Sequence, residues 1–501
     1  MVSSVRSVAF LGVEARLVTV ECALSPGLPA FHLVGLPDKA ISESKERVRA
    51  ALTAVGLALP PQRITVNLSP ADLPKTGSHF DLPIALALMA SLGVLPDDEA
   101  RAYVAMGELG LDGSLRPVQG ALPAALAAAE AGLGLICPAE CGAEAAWVGA
   151  CEVLAPAGLL DFMNHVAGRT PLSAPEPGAV SRRSCTADLI DVKGQESARR
   201  ALEVAAAGGH HILMVGEPGA GKSMLARRIT SILPPLTPRE ALEVATIRSL
   251  AGEAGGAADM TRERPFRAPH HTASKAALTG GGPQARPGEI SLAHCGVLFL
   301  DELPEFDRAV LESLRQPMET GEITVSRASA HLTYPARFLL AAAMNPCRCG
   351  YLSDPGRACS KAPRCGADYS ARLSGPLLDR FDIRIHMPPV TPDVLALAPH
   401  GDGSARVSRR VGQARDMQSE RANGAGPIWN AALEGEALDR CATPDQPGRE
   451  ILQVAAERQR LSARGYHRIL RVARTVADLD GATGVGKSHV AEAISYRRLY
   501  A

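Results

Sequence analysis

Short apolar runs at residues 5–11, 16–22, 63–68 and 103–109 alternate with polar positions in the manner of β-strands. Alanine-rich stretches of helical character lie between them, 121–131 being the clearest. This alternation predicts a compact α/β unit over residues 1–168. Arg169-Thr-Pro-Leu-Ser-Ala-Pro-Glu-Pro-Gly178 follows, with three prolines among small residues, and reads as a linker placed at 169–186. From Asp188 the pattern changes. An apolar run at 211–215 enters a glycine-rich turn and then a helix at 223–232. Two more runs, 296–300 and 337–343, show the unbroken hydrophobicity of parallel strands covered on both faces. An α/β/α layer with a parallel sheet is therefore expected over 187–390, and an all-helical, arginine-rich unit over 391–501, where strand signals stop. There is no repeat of fixed period.

A chain of 501 residues exceeds what one hydrophobic core organises, so two or three domains are expected. Lys plus Arg equals Asp plus Glu at 53 each, so no global field draws the chain to nucleic acid, and any DNA contact must be local. Residues 404–501 carry 16 basic against 11 acidic side chains, which suits either a DNA-facing surface or a solvated helical one. The first residues lack the apolar core of a signal peptide. The longest apolar stretch, 82–96, falls short of the ~20 residues of a membrane span. A cytoplasmic protein with no membrane partner is the expectation. Eleven cysteines in a reducing compartment then read as small buried side chains or metal ligands.

The run at 211–215 leads into Gly216, Glu217, Pro218, Gly219, Ala220, Gly221, Lys222 and Ser223, a full GxxxxGK[ST] match between a strand and a helix. Glycines let backbone N–H groups close on the phosphates of ATP, Lys222 brings a point charge to the β and γ positions, and Ser223 can ligate Mg²⁺. Gly296-Val-Leu-Phe-Leu-Asp301-Glu302 is an apolar strand ending in two carboxylates. Asp301 is read as the Mg²⁺ holder and Glu302 as the general base for the attacking water. A second literal match, Gly481-Ala-Thr-Gly-Val-Gly-Lys487-Ser488, follows an amphipathic helix instead of a buried strand. It reads as a coincidence of letters.

Four further segments carry a family resemblance. They are Gly35-Leu-Pro-Asp-Lys-Ala-Ile-Ser-Glu-Ser-Lys-Glu-Arg-Val-Arg49, Phe266-Arg-Ala-Pro-His-His-Thr-Ala-Ser274, Asn345-Pro-Cys347 and Ser374-Gly-Pro-Leu-Leu-Asp-Arg-Phe-Asp382. Through them the chain resembles the bacterial YifB/ComM family of magnesium-chelatase-like AAA+ proteins over essentially its whole length. The resemblance implies a Lon-protease-like α/β front domain, an AAA+ P-loop α/β/α core and a helical lid. It also implies a homo-oligomer, a hexameric ring with ATP between subunits, and action on single-stranded or branched DNA as a branch-migration helicase in recombination of transforming DNA. The alternatives are a magnesium-chelatase-type motor subunit and a protein-remodelling ATPase.

By the same resemblance, Asn345 is the sensor that orients the lytic water, and Arg380 is an arginine finger offered to a neighbour's ATP, or else an ordinary ion pair with Asp379 or Asp382. Arg464 corresponds to the lid arginine that senses the γ-phosphate, with Arg468 one turn along the same face as the alternative. The segment 322–333 resembles a pore hairpin in which Arg327 would grip phosphate, or else a plain surface hairpin. Polar-loop character is the reading for His270 and His271.

Cys347, Cys349, Cys359 and Cys365 form C-x-C-x9-C-x5-C within 19 residues, a set that suits structural Zn²⁺ or, alternatively, a reduced cysteine-rich loop. In the front domain, the serine of the Lon-type motif is replaced by His79 in Pro74-Lys-Thr-Gly-Ser-His79, Ser78 being one position away. The activating lysine corresponds to Pro123, which cannot act as a base. An inactive scaffold is expected there.

Overall fold

The computed structural model describes residues 2–178, 187–253, 261–281, 285–326, 331–352, 354, 356–396, 398, 400–423 and 429–497. Its front part is built on seven strands: β1 (Val2–Leu11), β2 (Glu14–Ser25), β3 (Ala30–Val34), β4 (Arg63–Ser69), β5 (Tyr103–Ala105), β6 (Gly134–Ile136) and β7 (Val153–Leu154). They form one mixed sheet in the order β3-β4-β2-β1-β5-β6-β7. β1 and β2 are an antiparallel hairpin turning at Gly12, whereas β5, β6 and β7 run parallel. The helix Asp81–Ser91 is buried from Asp81 to Ala90. Its one charge, Asp81, is held by Arg47 of the helix Lys39–Ala54 through two bonds of 2.6 and 2.9 Å.

The expected strand at 103–109 stops at Ala105. Met106 N–H still donates to Ile136 O of β6, but Gly107 N–H turns to His79 O, so the chain leaves the sheet there and Glu108–Leu109 pairs with Leu115–Arg116 in a separate ribbon. β3 was not anticipated, because a five-residue edge strand holding a histidine gives little periodic signal.

The second sheet contains β8 (Ile212–Gly216), β9 (Phe266–Arg267), β10 (Val297–Leu300), β11 (Leu339–Met344) and β12 (Ile383–Met387), all parallel, in the order β9-β10-β11-β8-β12. β10 and β11 are buried at every residue, as strands covered on both faces must be. Alternate side chains feed two cores. Ile212, Met214, Phe299 and Ala341 join the helix Glu196–Gly208 and the C-terminal helices in one apolar cluster. Leu213, Leu298, Leu340 and Ala342 join the layer that includes Phe306, Tyr369 and Phe381. The C-terminal helices Ser404–Ala422, Gln446–Gln459, Ala463–Leu479 and Lys487–Ser495 thus share a core with one sheet face. The helix expected at 223–232 is two pieces, Lys222–Arg227 and Ile229–Ile232, broken at Arg228, whose guanidinium reaches Asp188 O at 2.7 Å and Asp191 at 2.9 Å.

Among the described residues no helix is long and apolar enough to cross a membrane.

Candidate nucleotide site

β8 delivers the chain to its carboxyl end, where Gly216 passes so near Met387 that a Cβ would lie 2.4 Å from the Met387 carbonyl oxygen. Gly219 and Gly221 then take φ of 83° and 87°, a left-handed conformation that glycine adopts without strain, and the helix Lys222–Arg227 begins. Lys222 is 8% exposed and donates to Gly216 O (2.7 Å), Glu217 O (2.9 Å) and Asn345 Oδ1 (3.0 Å). Burial pulls its ammonium below the ordinary lysine value, with Asp301, Glu217 and Glu302 opposing. Ser223 Oγ donates to Asp301 Oδ2 at 2.6 Å, so a hydroxyl and a carboxylate stand together as oxygen donors of the kind Mg²⁺ takes. Asn345 follows β11, directly beside β8, which is why its amide meets Lys222.

Glu302 sits at the end of β10 with φ 51° and ψ 46°, and a non-glycine residue in that region costs about 1–3 kcal/mol. Its carboxylate lies 3.4 Å from His271 Nδ1. His271 in turn stands edge-on to Phe306, ring centroids 6.5 Å apart. From the sequence alone His271 reads only as a polar-loop residue. Its signal was present in Phe266-Arg-Ala-Pro-His-His-Thr-Ala-Ser274, which begins at β9 beside β10, a pairing that a two-residue strand does not advertise.

The arginines lie elsewhere. Arg380, Arg464 and Arg468 line a cavity of about 890 Å³ with Gly209, His211 and Leu339, at the amino ends of the same strands. The five residues of β8 rise roughly 16 Å, so Arg380 and Arg464 do not meet the phosphate loop of their own chain. Arg380 pairs with Glu319 and donates to Pro376 O at 2.6 Å; its ion pair is with neither Asp379 nor Asp382. Asp379 faces Arg384 at 3.7 Å. Asp382 accepts from Arg468 at 2.5 Å and lies 3.4 Å from His210. Burial works against that carboxylate, yet Arg468 and His210 hold it far below the usual range. Arg464 is exposed, and its side chain makes no hydrogen bond or ion pair with the described residues.

The hairpin Glu322–Ser326 with His331–Pro335 buries Ile323, Val325, Leu332 and Tyr334 in the second core, while Arg327 lies outside the described residues. The ligand atoms of Cys347, Cys349 and Cys365 lie within 4.8 Å of one another, whereas Cys359 stands outside that group. In the front part, His79 is buried and bonds Val8 O at 2.9 Å, Ser78 donates to Glu108, Lys75 donates to Pro70 O, and Pro123 lies buried in the helix Ala121–Glu130. No contact pairs Ser78 with a lysine among the described residues.

A five-stranded parallel sheet with a phosphate loop after β8, carboxylates after β10 and an asparagine after β11 defines a P-loop protein of the AAA+ class. Residues 188–395 match the family profile "Magnesium chelatase, subunit ChlI", residues 20–141 "Subunit ChlI of Mg-chelatase" and residues 401–497 "Magnesium chelatase, subunit ChlI C-terminal". The chain is 44% identical to "Competence protein ComM" of Haemophilus influenzae over 99% of its own length and 97% of that protein. It is 43% identical to "Uncharacterized protein YifB" of Salmonella typhimurium over 98% of its length and 96% of that protein. A "Magnesium-chelatase 38 kDa subunit" of Cereibacter sphaeroides is 24% identical over 60% of this chain and 87% of its own length. The chain belongs to the YifB/ComM family of magnesium-chelatase-like AAA+ proteins. Membership implies use of ATP and Mg²⁺.

Proposed function

We propose that this protein is an ATP-hydrolysing ring motor of the cytoplasm that acts on DNA, of the branch-migration helicase kind. The observation that carries the reading is the division of the site between two edges of one sheet. Lys222, Ser223, Asp301, Glu302 and Asn345 gather at the carboxyl edge, where Lys222 would meet the β and γ phosphates, Ser223 and Asp301 would hold Mg²⁺, and Glu302 would polarise water. Arg380 and the exposed Arg464 lie at the amino edge, where they serve a nucleotide only if a second copy supplies it. A homo-oligomer of repeating head-to-tail contacts, hexameric by family resemblance, meets that need. DNA as the track is supported by the near full-length similarity to a protein named for competence. The front domain is an assembly or DNA-contact scaffold without protease activity, and Cys347, Cys349, Cys359 and Cys365 bind one structural Zn²⁺.

The test is steady-state ATP hydrolysis without DNA and with single-stranded, duplex and four-way DNA, beside Lys222→Ala. DNA-stimulated turnover that the variant lacks is the expected outcome. Basal turnover indifferent to every DNA removes the substrate assignment. A magnesium-chelatase motor is then the next reading, favoured by the similarity to the 38 kDa chelatase subunit.

A further inference from the structure

The loop after Asn345 carries the four cysteines. Cys347 is fully buried and its Sγ lies 3.0 Å from Cys349 Sγ. Tetrahedral zinc with bonds of about 2.3 Å sets its sulfurs roughly 3.8 Å apart, so Cys347, Cys349 and Cys365 accept the ion with shifts of about an ångström while Cys359 closes in as the fourth ligand. From Cys347 to Cys365, the buried residues among those described are Cys347 and Gly350. A segment so poor in core contacts takes its shape from a cross-link instead of from packing.

The same loop meets the phosphate site at three points. Asn345, two residues before Cys347, receives Lys222 at 3.0 Å. Gly350 has φ 89°, and a Cβ on it would lie 2.6 Å from Pro218 Cγ, so the backbone beside Cys349 rests directly on the phosphate loop. Cys365 lies in the helix Arg364–Ser370, which contributes Tyr369 to the core, and Arg372 just beyond pairs at 2.9 Å with Glu305, three residues past Glu302.

We infer that one Zn²⁺ held by Cys347, Cys349, Cys359 and Cys365 is the strut that keeps Asn345 and Pro218 in register with Lys222, so that zinc occupancy controls ATP turnover. The inference rests on the reading of the chain as an ATPase with a cysteine-bound zinc. A small displacement of positioning groups around a reacting phosphate is enough to slow a reaction strongly, so zinc-free protein should turn over ATP roughly tenfold more slowly.

The experiment uses full-length wild-type protein, Lys222→Ala, the double variant Cys349→Ser/Cys365→Ser, and Cys441→Ser as a control cysteine away from the cluster. Metal content, ATP turnover and amide exchange over residues 216–223 are measured before and after treatment with a strong zinc chelator, then after adding zinc or extra magnesium. The expected result is one zinc per chain in every protein except the double variant, with wild-type turnover falling roughly tenfold on chelation and restored by zinc but not by magnesium. Exchange over 216–223 should quicken whenever zinc is absent. Protein without zinc overturns the inference, as does zinc whose removal changes neither turnover nor exchange. If no form hydrolyses ATP, the ATPase reading fails, and the exchange over 216–223 still decides whether zinc braces the loop.

Discussion

The string GxxxxGK[ST] occurs twice in this chain, and the two copies have become different objects. Gly216 to Ser223 joins a buried strand to a helix, and its lysine is buried beside Asp301 and Asn345. Gly481 to Ser488 joins the helix Ala463–Leu479 to the helix Lys487–Ser495, and Lys487 is exposed. The carbonyls of Ala482 and Thr483 there accept from the buried Arg474 at 2.6 and 3.0 Å, while Gly486 N–H is taken by His489 at 2.9 Å. Val485 is bridged to Pro444. This loop turns its carbonyls to Arg474 and one N–H to His489, and it follows a helix instead of the strand end from which a phosphate nest is built. The difference lies in what precedes and surrounds the letters, and a phosphate site requires a strand end, a helix start and carboxylates from neighbouring strands together.

The two lysines separate the copies most directly. Lys222→Ala should lower ATP turnover at least about 100-fold, the scale of losing one charged donor to a transition state, while Lys487→Ala should leave it unchanged. Loss of turnover in the second variant would make the C-terminal copy a working site. Arg474→Ala should act on stability instead. Arg474 and Asp478 are 1% and 0% exposed, and removing one member of such a pair costs roughly 3 kcal/mol, to be read from denaturant unfolding with nucleotide affinity preserved in the folded fraction. Nucleotide binding lost in parallel would place ligand at that loop.

His271→Ala sharpens the first copy. Its place 3.4 Å from Glu302 predicts a roughly tenfold fall in kcat, ~1.4 kcal/mol, with little change in KM. An unchanged kcat would leave His271 without a part in water activation. The smallest effect is the pH profile. Because burial lowers the Lys222 pKa, the ATP-free protein loses that proton below the ordinary lysine value of 10.5 as pH rises. ATP affinity should therefore begin to fall before that pH, and binding on the alkaline side should take up a proton, measurable by calorimetry in buffers of different ionisation heat. Affinity flat through that range would mean Asp301 and Glu302 outweigh burial.

Much of this was legible beforehand, for unequal reasons. β8, β10 and β11 announced themselves because strands covered on both faces are unbroken apolar runs, and the motif residues stand at their ends. β3 and β9 gave too few residues to show a period. The break at Arg228 was equally hidden, since nothing local tells that its guanidinium will be drawn to Asp188 and Asp191. Nor does the local sequence show that Arg468 meets Asp382, 86 residues away, while Arg464 is left exposed.

Local chemistry written in consecutive residues was determined by the sequence alone: the phosphate loop, the acid pair after a strand, the four cysteines, and the family segments at 35–49, 266–274, 345–347 and 374–382. These need only near neighbours, so spacing is enough to read them. The tertiary structure alone decided which edge of the sheet each charge occupies, that His271 stands against Glu302, and that the cysteine loop leans on Pro218. Those relations join segments that approach only when parallel strands are ordered side by side, and strand order is set by the packing of two cores rather than by any one segment's own pattern.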